Sequence, residues 1–571
     1  MQINSEPLIY ERIQFQVPTV YFCFSIPKHT FSGVCKNEIL FPDLKGDCTL
    51  HFVNGMLAPI IPTSLAREPI ISQLQRTHIM ENELKVIFLP FFLAPGHLIP
   101  MVDTARLFAM HGVNVTIITS PASALLFQKA IHRDANSGHQ IKTHVLQFPS
   151  DQVGLPRGIE NFNTVTSLDM TSKLFHGLSL LQPQIEQLFQ DMQPDCIVSD
   201  MFYPWTVDSA AKLGIPRLLL YVTCYFSLCA QNCVQQYKPH ESVNSDTDLF
   251  LLPGLPNKIE MTRLQLPEWL RTPNGYTQLM DKIKESERRS YGSILANSCY
   301  ELEGAYEELH KNNMGIRTWS VGPVSLWVNK DVADKVERGN KAAVEENELL
   351  NWLNAKECNS VLYICFGSSS KFPTAQLIEM AHGLEASGHQ FIWVVRQKDG
   401  DQGEGWLGDF EKRMKESNRG LIIRGWAPQI LILEHPAIGG QVTHCGSNSL
   451  LEGVTAGLPM IAWPLYAEQF YLEKLVTEVL KIGVAVGKKE WSIWAEETKE
   501  IVKRDDIEKA VKFLMGSGEE AAEMRNRAKE LGNAARKAVE SSGSSQSNFM
   551  GLINGLKSLK CARNSDEWVG N

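Results

Sequence analysis

One stretch of the sequence places anion-binding groups at the start of a predicted helix. Val442-Thr-His444 is typical of a short strand, and Gly446-Ser-Asn-Ser449 is typical of a turn that opens a helix. Free backbone N–H groups and the positive end of the helix dipole make such a start a site for an anion. His444 and Ser449 could add donors, and Glu452 could accept hydrogen bonds from the vicinal hydroxyls of a ribose. Taken alone, the turn could equally be an ordinary helix cap.

The residues on either side of this turn carry groups that suit the rest of a nucleotide sugar. Trp426 offers a flat face for a base, and Glu468 and Gln469 offer the acceptors and donors that a sugar needs. A single tryptophan is usually a packing residue. The combination of these groups within 44 residues is what predicts a nucleotide-sugar site.

The first half of the chain contains a candidate general base and its partner. His97 lies in Ala94-Pro-Gly-His-Leu-Ile-Pro100, directly after a predicted strand, and the unperturbed imidazole pKa of about 6.5 suits a base. Asp200 ends another predicted strand and could orient the imidazole and stabilise its protonated form. Each residue also has a structural interpretation, as a helix-start histidine and as a cap of the following segment.

The elements that must position these side chains alternate between strands and helices. Between the first two strands, Met101, Ala105 and Phe108 recur at helical spacing. This alternation predicts an α/β protein with two doubly wound Rossmann-like domains, whose ligands bind in a cleft at the carboxyl ends of the strands. The predicted strands are Val86–Leu89, Val113–Thr119, His144–Phe148, Cys196–Ser199, Leu218–Val222, Ile294–Asn297, Trp319–Val321, Val361–Phe366, Phe391–Val395, Leu421–Ile423, Gln441–His444 and Met460–Trp463.

Composition excludes several classes of protein. The 571 residues are 44% hydrophobic and 21% charged, which is ordinary for a globular protein, and the net charge of −9 argues against a broad basic surface for nucleic acid. The 12 cysteines are scattered without a CxxC pair, so we expect a reducing, cytoplasmic location and neither a zinc site nor a redox motif. The most apolar stretch, residues 84–102, is broken by Pro, Gly, His and Lys, so no membrane-spanning segment is expected.

The stretch from Trp426 to Gln469 resembles the signature box of the plant family 1 UDP-glycosyltransferases in length and in residues. Two positions depart from the family pattern: Gln441 stands where the family usually has Phe, and Ser447 stands where it usually has Trp. In the family that Trp lies beside the sugar, so Ser447 bears on the choice of donor and on activity. The matching residues are Trp426, Ala427, Pro428, Gln429, His435, Gly440, Thr443, His444, Cys445, Gly446, Asn448, Ser449, Glu452, Gly457, Pro459, Trp463, Pro464, Glu468 and Gln469.

The resemblance implies a GT-B type fold and an inverting transfer of a sugar from UDP. His97 would be the catalytic base and Asp200 its partner, with the UDP-sugar as co-substrate and no metal or other cofactor. A UDP-sugar donor, a small hydrophobic acceptor and a monomeric state are expected. The residues that the resemblance assigns to donor binding are Ser368, Trp426, Ala427, Gln429, His444, Gly446, Ser447, Asn448, Ser449, Glu452, Glu468 and Gln469.

The resemblance also suggests a division of the chain. Residues 1–79 alternate apolar fragments with Pro and Gly, so we expect a non-native or disordered extension before a native start at Met80, with a genuine extra segment as the alternative. The expected units after it are an N-terminal acceptor-binding domain at 80–327, a linker at 328–348, a C-terminal UDP-sugar-binding domain at 349–535, and a helix that crosses back to the N-terminal domain, with a tail, at 536–571.

The sugar and the acceptor are less sharply predicted. Gln469 favours glucose by resemblance, while Ser447 leaves galactose, xylose and arabinose open. The chain from 84 to 559 resembles the triterpenoid (soyasapogenol) saponin glycosyltransferases, which implies a triterpenoid acceptor; a flavonoid or phenolic acceptor is the alternative. The aromatic candidates for the acceptor wall are Phe202, Trp205, Tyr225 and Phe226, which could equally be core residues.

Two other functions remain as alternatives. Ser447 favours a catalytically impaired relative that still binds a UDP-sugar, against which stand the intact His97, Asp200 and Glu452. A Rossmann oxidoreductase is supported by the fold alone, and fold does not fix function. Phe366-Gly-Ser-Ser-Ser370 lacks the second and third glycines of a dinucleotide fingerprint, which disfavours that reading.

Overall fold

The protein is described by a computed structural model that divides the chain into two compact units, Met1–Asn82 and Glu83–Asn571. The first unit contains two antiparallel hairpins, Tyr10–Val17 with Val20–Pro27 and Leu50–Val53 with Met56–Pro59. The rest of the expected extension at 1–79 and the expected native start at Met80 lie outside the described residues. The structure describes residues 10–17, 20–27, 50–53, 56–59, 83–165, 167–396, 405–492 and 500–569.

The second unit contains two parallel sheets, as the alternation of strands and helices predicts. Most of their strands are buried along their length, so they are continuous apolar runs rather than alternating ones. The predicted strand at His144–Phe148 lies three residues earlier, and Gly483–Ala485 is a strand that the sequence analysis missed. The strands of the first sheet are Lys85–Leu89, Asn114–Thr119, Ile141–Val145, Cys196–Asp200, Arg217–Tyr221, Gly292–Leu295 and Thr318–Ser320. Those of the second are Val361–Cys365, Gln390–Val395, Gly420–Arg424, Ile438–Thr443, Met460–Ala462 and Gly483–Ala485.

Each sheet is doubly wound, and the reversal of strand order falls at its centre. In the first sheet Lys85–Leu89 lies between Asn114–Thr119 and Cys196–Asp200, so the first strand is paired with the second and the fourth. In the second sheet Val361–Cys365 is likewise paired with its second and fourth strands, Gln390–Val395 and Ile438–Thr443. The connections leave for opposite sides at such a point, which opens a crevice at the carboxyl ends of the strands.

Helices cover both faces of the sheets. In the N-terminal half they are Pro95–Met110, Pro121–Ala124, Gln128–Asn136, Leu168–Leu180, Gln182–Met192, Thr206–Lys212, Tyr225–Tyr237, Glu268–Arg271, Gly275–Arg288 and Tyr300–Met314. In the linker and the C-terminal half they are Ser325–Val328, Val332–Val336, Glu346–Asn354, Thr374–Ser387, Trp406–Glu416, Gln429–Leu433, Ser447–Thr455, Gln469–Lys474, Arg504–Met515, Glu519–Ala538 and Ser544–Val569. None in the described ranges is long and apolar enough to cross a membrane.

The final helix, Ser544–Val569, returns to the N-terminal sheet. Phe549 is fully buried there, with its ring centroid 5.2 Å from that of Phe108. Farther along, Lys560 Nζ donates to the carbonyl oxygen of Glu83 at 2.7 Å, and Arg563 pairs with Asp195. The final helix is therefore held against the N-terminal domain by an apolar contact and an ion pair.

Replacing Phe549 with alanine is expected to destabilise the N-terminal domain by about 3–5 kcal/mol, because the substitution leaves a cavity in a closed aromatic cluster. The measurement is urea unfolding followed by tryptophan fluorescence. Leu559, on the same helix but partly exposed, provides the matched control, and Leu559→Ala is expected to change stability by about 0.5 kcal/mol or less. Equal effects of the two substitutions would contradict the packing seen here.

Candidate active site

The structure brings His97 and Asp200 into direct contact at the reversal point of the N-terminal sheet. Their strands are adjacent, so Asp200 ends one strand next to the helix that carries His97. Pro95 occupies the first turn of that helix, where its missing N–H is no loss. His97 Nδ1 lies 2.9 Å from Asp200 Oδ2, with 23% of the His97 side chain exposed and the aspartate fully buried.

The surroundings of this pair raise the pKa of His97, which favours its action as a base. Burial by itself lowers the pKa of His97, but the charge and hydrogen bond of Asp200 outweigh it, and with a smaller contribution from Glu468 the pKa is raised. The second oxygen of Asp200 accepts a hydrogen bond from the backbone of Phe202 at 3.0 Å, which fixes the carboxylate. Because Nδ1 is bound to Asp200, Nε2 is the ring atom left to receive a proton.

The corresponding point of the C-terminal sheet holds the turn that the sequence analysis selected. His444 follows the strand Ile438–Thr443, and Ser447–Thr455 is the helix that opens at the turn. A Cβ on Gly446 would lie 2.5 Å from His444 Nε2, and one on Gly367 would lie 2.9 Å from the same ring, so both glycines make room for the imidazole. Burial lowers the pKa of His444 to about 4, so the ring is neutral near pH 7.

Glu452 lies at the centre of a polar network within this cleft. Its Oε2 accepts from Gln429 Nε2 at 2.6 Å, and that same nitrogen donates to Ser449 Oγ at 3.1 Å. Its Oε1 accepts from Arg338 at 2.6 Å, and Arg338 also pairs with Asp103 at 3.0 Å. Arg338 and Gln429 therefore hold the two oxygens of the Glu452 carboxylate. This is the carboxylate that the sequence predicts to bind the ribose.

The linker packs closely against Trp426. Gly339 adopts a φ of +95°, and a Cβ there would lie 2.2 Å from the Trp426 ring. The backbone N–H of Ala343 donates to the carbonyl oxygen of Trp426 at 2.8 Å. Ala427, the next residue, is buried beside it and lines the cleft. The indole lines the cleft and is held there by these contacts with the linker.

Asn448 connects the two domains directly at the site. Its Nδ2 donates to the carbonyl oxygen of Gly96 at 2.7 Å, one residue before the candidate base. Its side-chain oxygen accepts from Asn297, which also donates to the carbonyl oxygen of Val222 at 2.6 Å. The start of the helix Ser447–Thr455 in the C-terminal domain is therefore hydrogen-bonded to the start of the helix that carries His97.

Ser447 occupies a buried position between the domains. Its Oγ lies 3.1 Å from Glu468 Oε1 and 3.3 Å from Thr223 Oγ1. Gln469 accepts two backbone hydrogen bonds, from Leu465 at 2.9 Å and from Tyr466 at 3.0 Å, which shape the turn before its helix. The predicted sugar-binding residues Ser447, Glu468 and Gln469 therefore lie close together in the wall of the cleft.

His97 and all the residues that the resemblance assigns to donor binding line one cleft of about 1140 Å³, whereas Asp200 is fully buried next to it. Ser368, which lies in the loop after Val361–Cys365, belongs to it, as does Phe202 on the N-terminal side. The other predicted acceptor residues do not reach it, which corrects the sequence analysis: Tyr225 and Phe226 are fully buried core residues, and Trp205 packs against the N-terminal core. Phe202 lines the cleft and its neighbour Tyr203 is buried in the core, so residue type alone does not separate the two placements.

Some residues that shape the site were not selected from the sequence. Asp103 and Arg338 are separated by 235 positions, so no local sequence pattern predicts that they form an ion pair. Asn297 had a usable signal, because it ends a predicted strand at the same sheet edge as Asp200. Within the described part of the chain, no three His, Cys, Asp or Glu side chains are grouped so that they could hold a metal ion.

Comparison with known proteins establishes the family. Residues 310–504 match the family model described as UDP-glucoronosyl and UDP-glucosyl transferase. Over 492 residues the chain is 56% identical to the soyasapogenol B glucuronide galactosyltransferase of Glycine max, covering 86% of this chain and 99% of that protein. The chain belongs to the plant family 1 UDP-glycosyltransferases. This confirms the resemblance carried by the signature box, and the protein is a UDP-glycosyltransferase.

Two further relatives of this UDP-glycosyltransferase support the assignment. It is 49% identical over 488 residues to UDP-glucosyl transferase 73CC6 of Saponaria officinalis, covering 84% of this chain and 98% of the relative. The crystal structure of Glycyrrhiza uralensis UGT73P12 complexed with glycyrrhetinic acid 3-O-monoglucuronide matches with a TM-score of 0.82 and 54% identity, over 86% of this chain and 98% of that one. The structural match confirms the predicted GT-B type fold.

Proposed function

We propose that this UDP-glycosyltransferase transfers a hexose, with inversion, from a UDP-sugar to a hydroxyl of a triterpenoid saponin precursor. The observation that carries the proposal is the position of the His97–Asp200 pair across the cleft from the helix start at Gly446. A base and an anion site on opposite walls fit a reaction that removes a proton at one end and releases a diphosphate at the other.

The proposed mechanism is a single displacement. His97 Nε2 takes the proton of the acceptor hydroxyl, and that oxygen attacks the anomeric carbon on the face opposite UDP. The new C–O bond forms as the bond to the β-phosphate oxygen breaks, and its electron pair leaves with UDP. The imidazolium, stabilised by Asp200, then returns the proton to solvent.

The donor-binding roles are proposed from the same geometry. The backbone N–H groups from Gly446 to Ser449 face the position of the diphosphate, and the neutral His444 acts as a donor rather than as a cation. Glu452 accepts from the ribose hydroxyls, Trp426 contacts the base with Ala427 and Gln429 beside it, and Ser368 contacts the β-phosphate. Glu468 and Gln469 bind the hexose. No metal is proposed in this arrangement.

The acceptor proposal rests on the relatives and on the wall of the cleft. The Glycine max relative is named for soyasapogenol B glucuronide, and the Glycyrrhiza uralensis protein holds glycyrrhetinic acid 3-O-monoglucuronide. In this chain the wall beside His97 is formed by Phe91, Phe162, Phe175 and Phe202. A continuous aromatic wall suits a rigid fused-ring aglycone.

The sharpest test of the proposed function is UDP release with defined pairs of donor and acceptor. UDP-glucose, UDP-galactose, UDP-xylose, UDP-arabinose and UDP-glucuronate are each offered with a triterpenoid, its glucuronide and a flavonoid. We expect release that depends on a triterpenoid-type acceptor. Tight UDP binding without turnover on any pair would instead support the impaired relative, and turnover confined to the flavonoid would move the proposal to phenolic acceptors.

Ser447 is expected to widen the choice of donor, because a small side chain stands where the family places an indole beside the sugar. We expect the wild-type enzyme to use both UDP-glucose and UDP-galactose. Ser447→Trp is expected to raise the ratio of kcat/KM for UDP-glucose to kcat/KM for UDP-galactose by about tenfold. Ser447→Ala is the control, since it removes the contact with Glu468 without filling the space. A rise in turnover with an unchanged ratio would show that the serine impairs the site.

We further propose that the enzyme acts as a monomer in the cytoplasm. The nine cysteines whose side chains the structure describes are free, which is compatible with a reducing compartment. Size-exclusion chromatography with light scattering would test the monomeric state, and localisation of a fluorescent fusion would test the cytoplasmic location.

We also propose that residues 80–571 are sufficient for activity. Turnover by this shortened chain would test that proposal.

A further inference from the structure

The linker between the two domains runs along the cleft and is anchored to both of them. Asp334 Oδ1 lies 2.7 Å from Arg133 Nη2 of the N-terminal domain. The next residue, Lys335, places its Nζ 2.7 Å from Glu434 Oε2 of the C-terminal domain. Arg338 follows in the same segment and lines the cleft. The ion pairs on either side of the linker therefore fix the position from which the Arg338 side chain extends.

The guanidinium of Arg338 lies between two carboxylates that come from opposite domains. Its Nε and Nη2 each lie 3.0 Å from Asp103 Oδ2, and its Nη1 donates to Glu452 Oε1 at 2.6 Å. The three side chains are largely buried, with exposed fractions of 14% for Arg338, 4% for Asp103 and 6% for Glu452. A guanidinium presents its N–H donors in a rigid planar fork, so it holds both carboxylates in one geometry.

These two carboxylates lie on the helices that carry the proposed reacting groups. Asp103 is on the helix that carries His97. Glu452 is on the helix that begins at Ser447, next to the proposed diphosphate site. Arg338 therefore connects the carboxylate proposed to bind the ribose with the helix of the proposed base.

Glu452 keeps room for a ligand after these contacts. Its Oε1 accepts from Arg338 and its Oε2 accepts from Gln429 at 2.6 Å. A carboxylate has about four lone-pair sites, so each oxygen can still accept a hydrogen bond from a hydroxyl. Burial lowers the pKa of Arg338, but the charges and hydrogen bonds of Asp103 and Glu452 outweigh burial and raise it. The guanidinium therefore stays charged and fixes the direction in which the remaining lone pairs of Glu452 point.

We propose that Arg338 is a positioning residue for the donor, which orients the Glu452 carboxylate towards the two ribose hydroxyls while Asp103 holds the guanidinium in place. The proposal rests on the proposed function, in which Glu452 accepts from the ribose. A glutamate side chain that is free to rotate loses that freedom when it binds a ligand, and Arg338 removes the freedom beforehand. The benefit falls on the ribose hydroxyls and not on the base or the diphosphate.

The test compares the binding of UDP with that of 2′,3′-dideoxy-UDP, which has the same base and diphosphate and lacks both ribose hydroxyls. Isothermal titration gives the two Kd values. Wild-type enzyme is expected to bind UDP about ten- to hundredfold more tightly, because hydrogen bonds to a charged carboxylate are strong. Arg338→Met is expected to reduce this preference to about threefold or less while leaving the Kd of the dideoxy nucleotide almost unchanged. Arg338→Lys is expected to give an intermediate preference, since an ammonium lacks the fork that holds both carboxylates.

Arg133→Met is the matched control, because Arg133 anchors the same linker through Asp334 and is expected to keep the wild-type preference. Arg338→Met leaves two buried carboxylates without their shared cation, which destabilises the fold. The double variant Arg338→Met, Asp103→Asn removes one of those charges and is expected to show the same reduced preference. Thermal unfolding of each variant reports whether it is folded.

Other outcomes overturn the proposal in distinguishable ways. A full preference for UDP in a folded variant that lacks Arg338 would show that the residue only holds the linker. Equal losses of affinity for the two nucleotides would place its effect on the diphosphate or on domain packing. The same reduced preference in Arg133→Met would assign the effect to the linker as a whole. Equal binding of both nucleotides by the wild-type enzyme would remove the ribose role of Glu452, and binding of neither would overturn the proposed function itself.

Discussion

Replacing His97 with alanine is expected to lower kcat/KM by about 10²–10⁴-fold, the contribution typical of a positioned general base. Without the imidazole, the acceptor hydroxyl must lose its proton to water during attack. The anion site at Gly446 to Ser449 and the base-binding residue Trp426 are untouched, so UDP is expected to bind as tightly as to the wild-type enzyme. Steady-state UDP release and isothermal titration with UDP measure the two quantities separately.

A matched histidine makes this result interpretable. His132 lies exposed on the helix Gln128–Asn136, outside the cleft, and His132→Ala is expected to keep wild-type kinetics. Wild-type turnover by the His97 variant would rule out the proposed base. A parallel loss of UDP affinity would instead indicate that the helix start at Pro95 had shifted, because Gly96 contacts Asn448 across the domain boundary.

Asp200→Asn is expected to lower kcat/KM on the order of a hundredfold and to change its dependence on pH. The base acts when it is neutral, so activity rises with pH through the pKa of His97. Burial lowers that pKa, but the charge and the hydrogen bond of Asp200, with a smaller contribution from Glu468, together outweigh burial and raise it. Removing the charge therefore moves the midpoint of the profile to lower pH, while the plateau falls because the imidazolium is no longer stabilised.

The pH profile distinguishes this electrostatic role from a structural one. Profiles of kcat/KM between about pH 5 and 9 are compared for the wild-type enzyme, Asp200→Asn and Asp208→Asn, the last an exposed aspartate on the following helix. A variant with a lower plateau and an unmoved midpoint would contradict the proposed partnership. Additive losses in the double variant of His97 and Asp200 would also contradict it, since residues that act as a unit are non-additive.

The candidate donor site could be predicted to a large extent because its residues are close in sequence. Helix starts, strand ends and turns are local features, and 44 consecutive residues contain the turn, the ribose carboxylate and the sugar-binding pair. The structure adds the neutral state of His444, which follows from burial. It also adds the contacts of Glu452 with Arg338 and Gln429. Those contacts depend on how distant segments pack, which no spacing reveals.

The acceptor side was harder to predict, for a related reason. An aromatic residue after a strand is equally suited to the core and to a binding wall, and the difference is which way its element is turned. Phe202 lines the cleft, whereas Tyr225 and Phe226 point into the core beside Glu303 and Tyr306.

The sequence by itself determined the fold class, the order of the strands along the chain, and the donor-binding turn. Those features depend on local periodicity and on short spacings, which survive without knowledge of the fold. Only the tertiary structure decided which side chains from distant segments of the chain come into contact. It placed His97 in contact with Asp200, which lies 103 positions away in the sequence, and it placed Asn448 in contact with the backbone of Gly96. Contacts between distant segments are fixed by how two curved sheets and their helices pack, and that information is distributed over the whole chain.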